Sequence, residues 1–276
     1  MFEYTNENLT SVYITTYNRV ELLKRAVQSV LNQSVQPYEI LIVDDNSTDG
    51  TQQYLSTLQH KDKRIKWLKK SKIQPPGPQS SRNLAINSAR GFFITGLDDD
   101  DYFTPDRLLT LQKAYKPHYS FVCSNYYRVS SSNISLSSIR PRKVTYKHLL
   151  NYNCVGNQVL SETWKLQKVG GFDLDLEACQ DLDVWLRLTK EFGPGYRTIQ
   201  PTYYQDFNPE VQRITFSDKK KIGTIQFCKK YEADIPLDVV KKRVSLLEKR
   251  GSIFDKIMCY SPRLIMIGIQ NCLKLG

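Results

Sequence analysis

The chain has 276 residues, 40% hydrophobic and 24% charged, ordinary for a globular protein with one large or two small domains. Its 39 basic residues against 28 acidic ones leave a net charge of +11, which suits an anionic partner such as a nucleotide, nucleic acid or acidic lipid. The six cysteines are scattered without a C-x-x-C pair. That argues against a zinc site or a disulfide framework and for a reducing compartment. Residues 1–8 lack the basic start and apolar core of a secretory signal, and no stretch is apolar for long enough to span a bilayer.

Residues 10–17 read as a first strand, followed by a helix capped by Asn18 with Leu22, Leu23, Ala26, Val27, Val30 and Leu31 on one face. Residues 38–43 form a second apolar strand that ends in Asp44-Asp45-Asn46-Ser47. A helix to about Leu58, a short strand over 65–68, a Pro/Gly-rich loop over 71–79 and a helix over 80–89 come next. Such alternation predicts an α/β fold with a mostly parallel sheet and helices on both faces. This half has neither G-x-G-x-x-G nor G-x-x-x-x-G-K-[ST], which disfavours a dinucleotide fold or a P-loop enzyme.

The stretch 91–107 is the most informative. Phe92, Phe93, Ile94 and Leu97 suit a covered strand. Asp98, Asp99, Asp100 and Asp101 follow at its end, and Thr104 with Pro105 reads as a helix start. In open α/β sheets ligands bind at that edge. Adjacent carboxylates repel one another, and a hard divalent cation relieves the repulsion. A solvated acidic turn is the plain alternative.

After a helix over 105–115, residues 119–129 read as an aromatic strand and 130–138 as a serine-rich loop. A helix over 161–168 closes at Gly170-Gly171, and 172–180 is irregular. Residues 181–192 are amphipathic, with Val184, Trp185, Leu188 and Phe192 on one face, Trp185 as core and Asp183 as a solvated or capping residue. Residues 203–213 show no clear period. Residues 237–276 carry eight basic and three acidic residues and read as a basic amphipathic helical tail, either docked on the body or resting on a membrane. The expected division is 1–115, 116–210 and 211–276, the last being the tail.

Three strand ends thus carry polar residues: Thr15-Thr16-Tyr17, Asp44-Asp45 and the aspartate run. Together with Ser81-Arg82-Asn83, with Pro105 beyond the run, and with Gly170-Gly171-Phe172-Asp173 leading to Gln180-Asp181, they occur in an order that resembles the inverting family 2 glycosyltransferases of GT-A fold, over about residues 10–190. The resemblance, to the type that builds bacterial surface polysaccharide such as O-antigen, implies roles by position. Thr15, Thr16, Tyr17 and Arg19 would contact the donor nucleotide, Asp45 would accept from the base with Asp44 beside it, and Arg82 would lie near the base or diphosphate. Asp98 and Asp100 fill the D-x-D positions, with Asp99 on the donor between them and Asp100 as the expected ligand of Mn²⁺ or Mg²⁺. Asp181 matches the general base, and Gln180 stands where the family often has glutamate. A UDP-sugar donor and a lipid-linked saccharide acceptor are implied. The chain would then be cytoplasmic and peripheral on the inner face of the membrane, with no nucleic-acid partner. The alternatives are a metal-dependent nucleotidyltransferase, whose usual glycine- and lysine-rich triphosphate loop is missing, and a non-catalytic nucleic-acid binder, whose basic residues should interleave with aromatics.

Overall fold

The computed structural model describes residues 9–71, 73–137, 141–207 and 218–248. A strand buried on both faces must find hydrogen-bond partners on both edges. β1 (Thr10–Thr16) does so, pairing in parallel with β2 (Glu39–Asp44) on one side and β4 (Phe93–Asp98) on the other. β3 (Ile65–Lys69) continues the parallel run beyond β2. Helices α1 (Val20–Leu31), α2 (Thr51–Lys61) and α3 (Pro78–Ser88) make the crossovers. Side chains alternate along β1. Val12 and Ile14 pack with Leu23, Ala26, Val27 and Val30 of α1, whereas Tyr13 packs on the other face with Ala85 and Ile86 of α3.

The second half extends the same sheet, whose order is β3-β2-β1-β4-β9-β6-β10-β5. β9 (Leu160–Glu162) is antiparallel to β4, while β10 (Gly195–Asp206) runs parallel to β6 (Val122–Val129). The short strands β5 (Tyr102–Phe103) and β8 (Lys143–Val144) pair antiparallel with β10, and β7 (Ile134–Leu136) with β6. The remaining helices are α4 (Arg107–Ala114), α5 (Tyr146–Asn151), α6 (Thr163–Lys168), α7 (Gln180–Phe192), α8 (Asp218–Lys230) and α9 (Leu237–Glu248).

Several expectations need correction. Asn18 does not cap α1: it adopts φ 51°, and its Oδ1 accepts from Thr48 N–H at 2.7 Å, stitching two loops together. The helix after the acidic run starts at Arg107, because Thr104 donates to the Thr202 carbonyl from both its N–H and its hydroxyl. The serine-rich stretch contains β7, and the first residues of the expected helix at 161–168 belong to β9. Residues 203–206 finish β10, while 208–213 lie outside the described residues.

Asp183 is the largest correction. It is wholly buried on α7 rather than solvated. It takes Arg187 Nη2 at 2.6 Å, Lys230 Nζ at 2.6 Å and the Tyr231 hydroxyl at 2.7 Å. α8 is thereby locked against the helix that carries Asp181. α8 also presses close at Gly223, where a Cβ would lie 2.2 Å from Ala178 N.

α9 begins as a docked element. Val239 and Val240 are buried, and Arg243 donates to the carbonyls of Leu150 and Asn151 at 3.1 and 3.3 Å. The rest of the expected tail, 249–276, lies outside the described residues. No helix among the described residues is long and apolar enough to cross a membrane.

Candidate active site

Parallel pairing brings the polar strand ends to one edge. Thr16 sits opposite Asp44 and Thr15 opposite Asp98 in the register, the edge where open α/β sheets bind ligands. Tyr17 lies just past β1 and is 58% exposed, open to a stacking partner.

The aspartate run folds as a tight turn, with Asp101 N–H donating to the Asp98 carbonyl at 3.1 Å. Asp98, Asp100 and Asp101 each place one carboxylate oxygen within 4.8 Å of the others. Three hard oxygen donors so grouped fit Mg²⁺ or Mn²⁺. Asp101 joins the expected pair Asp98 and Asp100 here. Asp99 faces another way: Thr16 donates to it at 2.9 Å and Arg19 at 3.2 Å. Burial pushes the Asp99 carboxyl up to about 6, against the opposing pull of Arg19. Arg19 also reaches Asp100 at 3.4 Å.

Arg82 of α3 spans two carboxylates, meeting Asp98 at 2.8 Å and Asp181 at 3.4 Å, with its guanidinium over the Phe172 ring. Burial alone would lower its pKa, but the two carboxylates outweigh it and hold the group above its ordinary value. Asp181 stands in the first turn of α7, reached through Cys179 at φ 66°. Desolvation pushes its carboxyl up to about 6, with Arg82 opposing and Asp98 adding to the rise. A carboxylate with a pKa near the working pH is suited to general-base duty.

At the β2 end, Asp45 accepts from Lys70 Nζ at 2.7 Å and from Gly77 N–H at 2.8 Å. The Lys70 side chain is wholly buried. Asp44 lies beneath this turn, fully buried, and its Oδ1 accepts from Ser47 N–H at 3.0 Å. Arg25 of α1 braces the acidic turn from the far side, donating to the Asp100 carbonyl at 2.6 Å and pairing with Asp206 at 2.8 Å.

Thr15, Thr16, Tyr17, Arg19, Asp45, Arg82, Asp98, Asp99, Asp100 and Asp181 are thus placed along this edge, with Asp44 beneath it. Lys70, Arg25 and Asn157, whose Nδ2 donates to Asp98 Oδ2 at 2.6 Å, carry no signal in the sequence. Lys70 follows an ordinary basic strand, Arg25 sits on a helix flank, and Asn157 lies in a loop with no motif, so only the folded contacts mark them.

A mostly parallel α/β sheet with threonines and a tyrosine at the end of β1, carboxylates at the ends of β2 and β4, and a further aspartate facing them from α7, is the arrangement of GT-A glycosyltransferases. The chain belongs to glycosyl transferase family 2, whose family model matches residues 11–169. It is 33% identical over 279 aligned residues, 98% of this chain and 97% of its relative, to WcaA of Escherichia coli (strain K12), which carries the name colanic acid biosynthesis glycosyl transferase. It is 29% identical over 187 residues, 67% of this chain and 72% of the relative, to the Escherichia coli UDP-Glc:alpha-D-GlcNAc-diphosphoundecaprenol beta-1,3-glucosyltransferase WfgD. Among solved structures it superposes on S. aureus TarS 1-349 in complex with UDP-GlcNAc, with a TM-score of 0.65 and 18% identity over 94% of this chain and 83% of the other. It also superposes on the mannosyltransferase PcManGT of Pyrobaculum calidifontis in complex with GDP-Man and Mn²⁺, with a TM-score of 0.61 and 15% identity over 97% and 80%. These likenesses establish the GT-A fold.

Proposed function

We propose that the chain is an inverting, metal-dependent glycosyltransferase that moves a hexose from UDP to a hydroxyl of a lipid-linked saccharide during surface-polysaccharide synthesis. The single observation that carries this reading is the run Asp98–Arg82–Asp181, with ion pairs of 2.8 and 3.4 Å, which joins the carboxylate cluster to a carboxylate of raised pKa.

In this reading Tyr17 offers its exposed ring to the base, with Thr15 and Thr16 beside it. Asp45, fixed by Lys70 and Gly77 and underlain by Asp44, accepts the ring N–H. Uracil, with a ring N–H, suits an acceptor held this way. Asp98, Asp100 and Asp101 would hold Mn²⁺ or Mg²⁺, which when bound supplies Lewis-acid stabilisation to the departing diphosphate. Arg19 and Arg82 add positive charge beside it, while Asp99 holds Arg19 in place. Asp181 takes the proton of the acceptor hydroxyl as that oxygen attacks the far face of the anomeric carbon. One in-line displacement converts an α-linked donor into a β-linked product.

The 1–115 half would bind donor and 116–210 would bind acceptor and supply the base. The basic residues of 249–276, among them Lys249, Arg250, Lys256 and Arg263, support peripheral attachment to an anionic membrane surface at about 1 kcal/mol per cation. Loss of co-sedimentation with anionic vesicles at low salt when 249–276 is removed is the outcome that attachment requires.

The metal role has a direct test in calorimetry. UDP should bind at least about tenfold more weakly in EDTA than in Mn²⁺, or about 1.4 kcal/mol per factor of ten. Asp100→Ala should abolish that difference and most activity while keeping the fold. Equal UDP affinity with and without EDTA would rule the metal out.

A further inference from the structure

The two outer carboxylates of the acidic turn meet at one amide. Asn157 Nδ2 donates to Asp98 Oδ2 at 2.6 Å and lies 3.3 Å from Asp101 Oδ2. Its Oδ1 accepts from the Tyr203 hydroxyl at 3.2 Å, and that tyrosine is 1% exposed. Ionised carboxylates only accept and an amide nitrogen only donates, so the opposite orientation would set oxygen against oxygen at both aspartates.

The loop that carries Asn157 is held from several directions. Asn153 Oδ1 accepts from the N–H groups of Val155 and Gly156, both at 3.0 Å. Trp185 Nε1 donates to the Gly156 carbonyl at 3.0 Å, and Arg197 donates to the Cys154 carbonyl. Gly156 takes φ 95°, and a Cβ there would lie 3.3 Å from the Tyr203 hydroxyl. Trp185 belongs to α7, so this one loop connects the helix of Asp181 to the acidic turn. At Asp98 the other oxygen is taken by Arg82 at 2.8 Å, and the carboxylate is gripped through both of its oxygens.

Like-charged carboxylates left to themselves splay apart. A neutral donor spanning two of them fixes their spacing without cancelling the charge a cation needs. We propose that Asn157 is a positioning residue for the divalent-cation site, its amide oriented by Tyr203 and holding Asp98 and Asp101 at the separation the ion requires. This rests on the metal-dependent reading above. Donors that orient metal ligands in this way are typically worth about 10–100-fold in metal affinity.

The test is a titration of Mn²⁺ alone, and of Mn²⁺ with UDP, followed by the electron paramagnetic resonance signal of the free ion. Wild type, Asn157→Ala and Tyr203→Phe are compared, with thermal melting of each protein without metal. Asn157→Ala should weaken Mn²⁺ binding by about 10–100-fold. Tyr203→Phe, which keeps the ring and loses only the orienting hydroxyl, should weaken it by a smaller factor at a nearly unchanged melting temperature. If Asn157→Ala does not fold, Tyr203→Phe decides alone. Wild-type Mn²⁺ affinity in the folded variants overturns the proposal and leaves the metal reading standing. A wild-type protein that binds no Mn²⁺ overturns both.

Discussion

Asp181→Asn is expected to cut turnover by about 10²–10⁴-fold, the usual contribution of a positioned general base, while leaving UDP affinity close to that of wild type. The amide is nearly isosteric with the carboxyl and keeps an oxygen toward Arg82, which sits 3.4 Å away, but it cannot take a proton. The pH profile carries the same signature. Asp181 is pushed up to about 6, chiefly by desolvation, and works only when ionised. kcat/KM should therefore fall as the pH drops through about 6 and level off above it. Asp99 is also pushed up to about 6, so the assignment depends on the variant: Asp181→Asn should remove the acidic limb from whatever activity remains. Steady-state kinetics between pH 4.5 and 8.5 provide the check. A variant that retains most of its turnover, or an unchanged limb, would move the base elsewhere.

Asp183→Ala should produce the largest loss of stability of any substitution considered. Its carboxylate is wholly buried and receives Arg187, Lys230 and Tyr231. Removing one partner of a buried charge pair typically costs about 3–5 kcal/mol. Here the cations keep some solvent, at 23% and 34% side-chain exposure, which places the expected cost near the lower end, about 3 kcal/mol. For a domain of this size that is about 6–12 °C in melting temperature. Because α7 also carries Asp181, activity should fall with it. Denaturant unfolding reads the effect, and a midpoint unmoved by Asp183→Ala would show that the cluster contributes nothing net.

The contrast between Asp181 and Asp183 shows where the sequence could be read and where it could not. Asp181 came from resemblance, through the Gly170-Gly171 stop and Gln180 before it, and not from any local periodicity. Asp183 reads as solvated or capping because not all of its partners share its stretch of chain: Lys230 arrives from α8, within the stretch that the sequence assigns to the basic tail. The first half was legible because buried parallel strands are continuous apolar runs whose polar ends stand out. The register of β1 against β2 and β4 then sets those ends side by side.

β10 hid for a physical reason. Its pairing with β6 shifts register on either side of Pro201, and a proline at such an irregularity erases the alternation that marks a strand. Asn157 and Lys70 hid because their importance lies in what they hold, Asp98 and Asp45, from loops and strand ends without a motif. The basic tail was read as one unit. Its beginning is partly occupied in docking, with Val240 buried and Arg243 on the Leu150 carbonyl.

The most direct measurement of the central claim is the anomeric configuration of the first product. The purified protein would be incubated with Mn²⁺, a panel of α-linked UDP-, GDP- and dTDP-sugars and a polyprenyl-diphosphate-linked saccharide, and the new anomeric proton followed by NMR from the earliest turnover. Transfer from a UDP-hexose, lost in EDTA and cut by about 10²–10⁴-fold in Asp181→Asn, with a β-anomeric signal appearing first, is the predicted result. An α-linked product, or transfer at close to the wild-type rate without the Asp181 carboxylate, would contradict single displacement by an Asp181-activated hydroxyl.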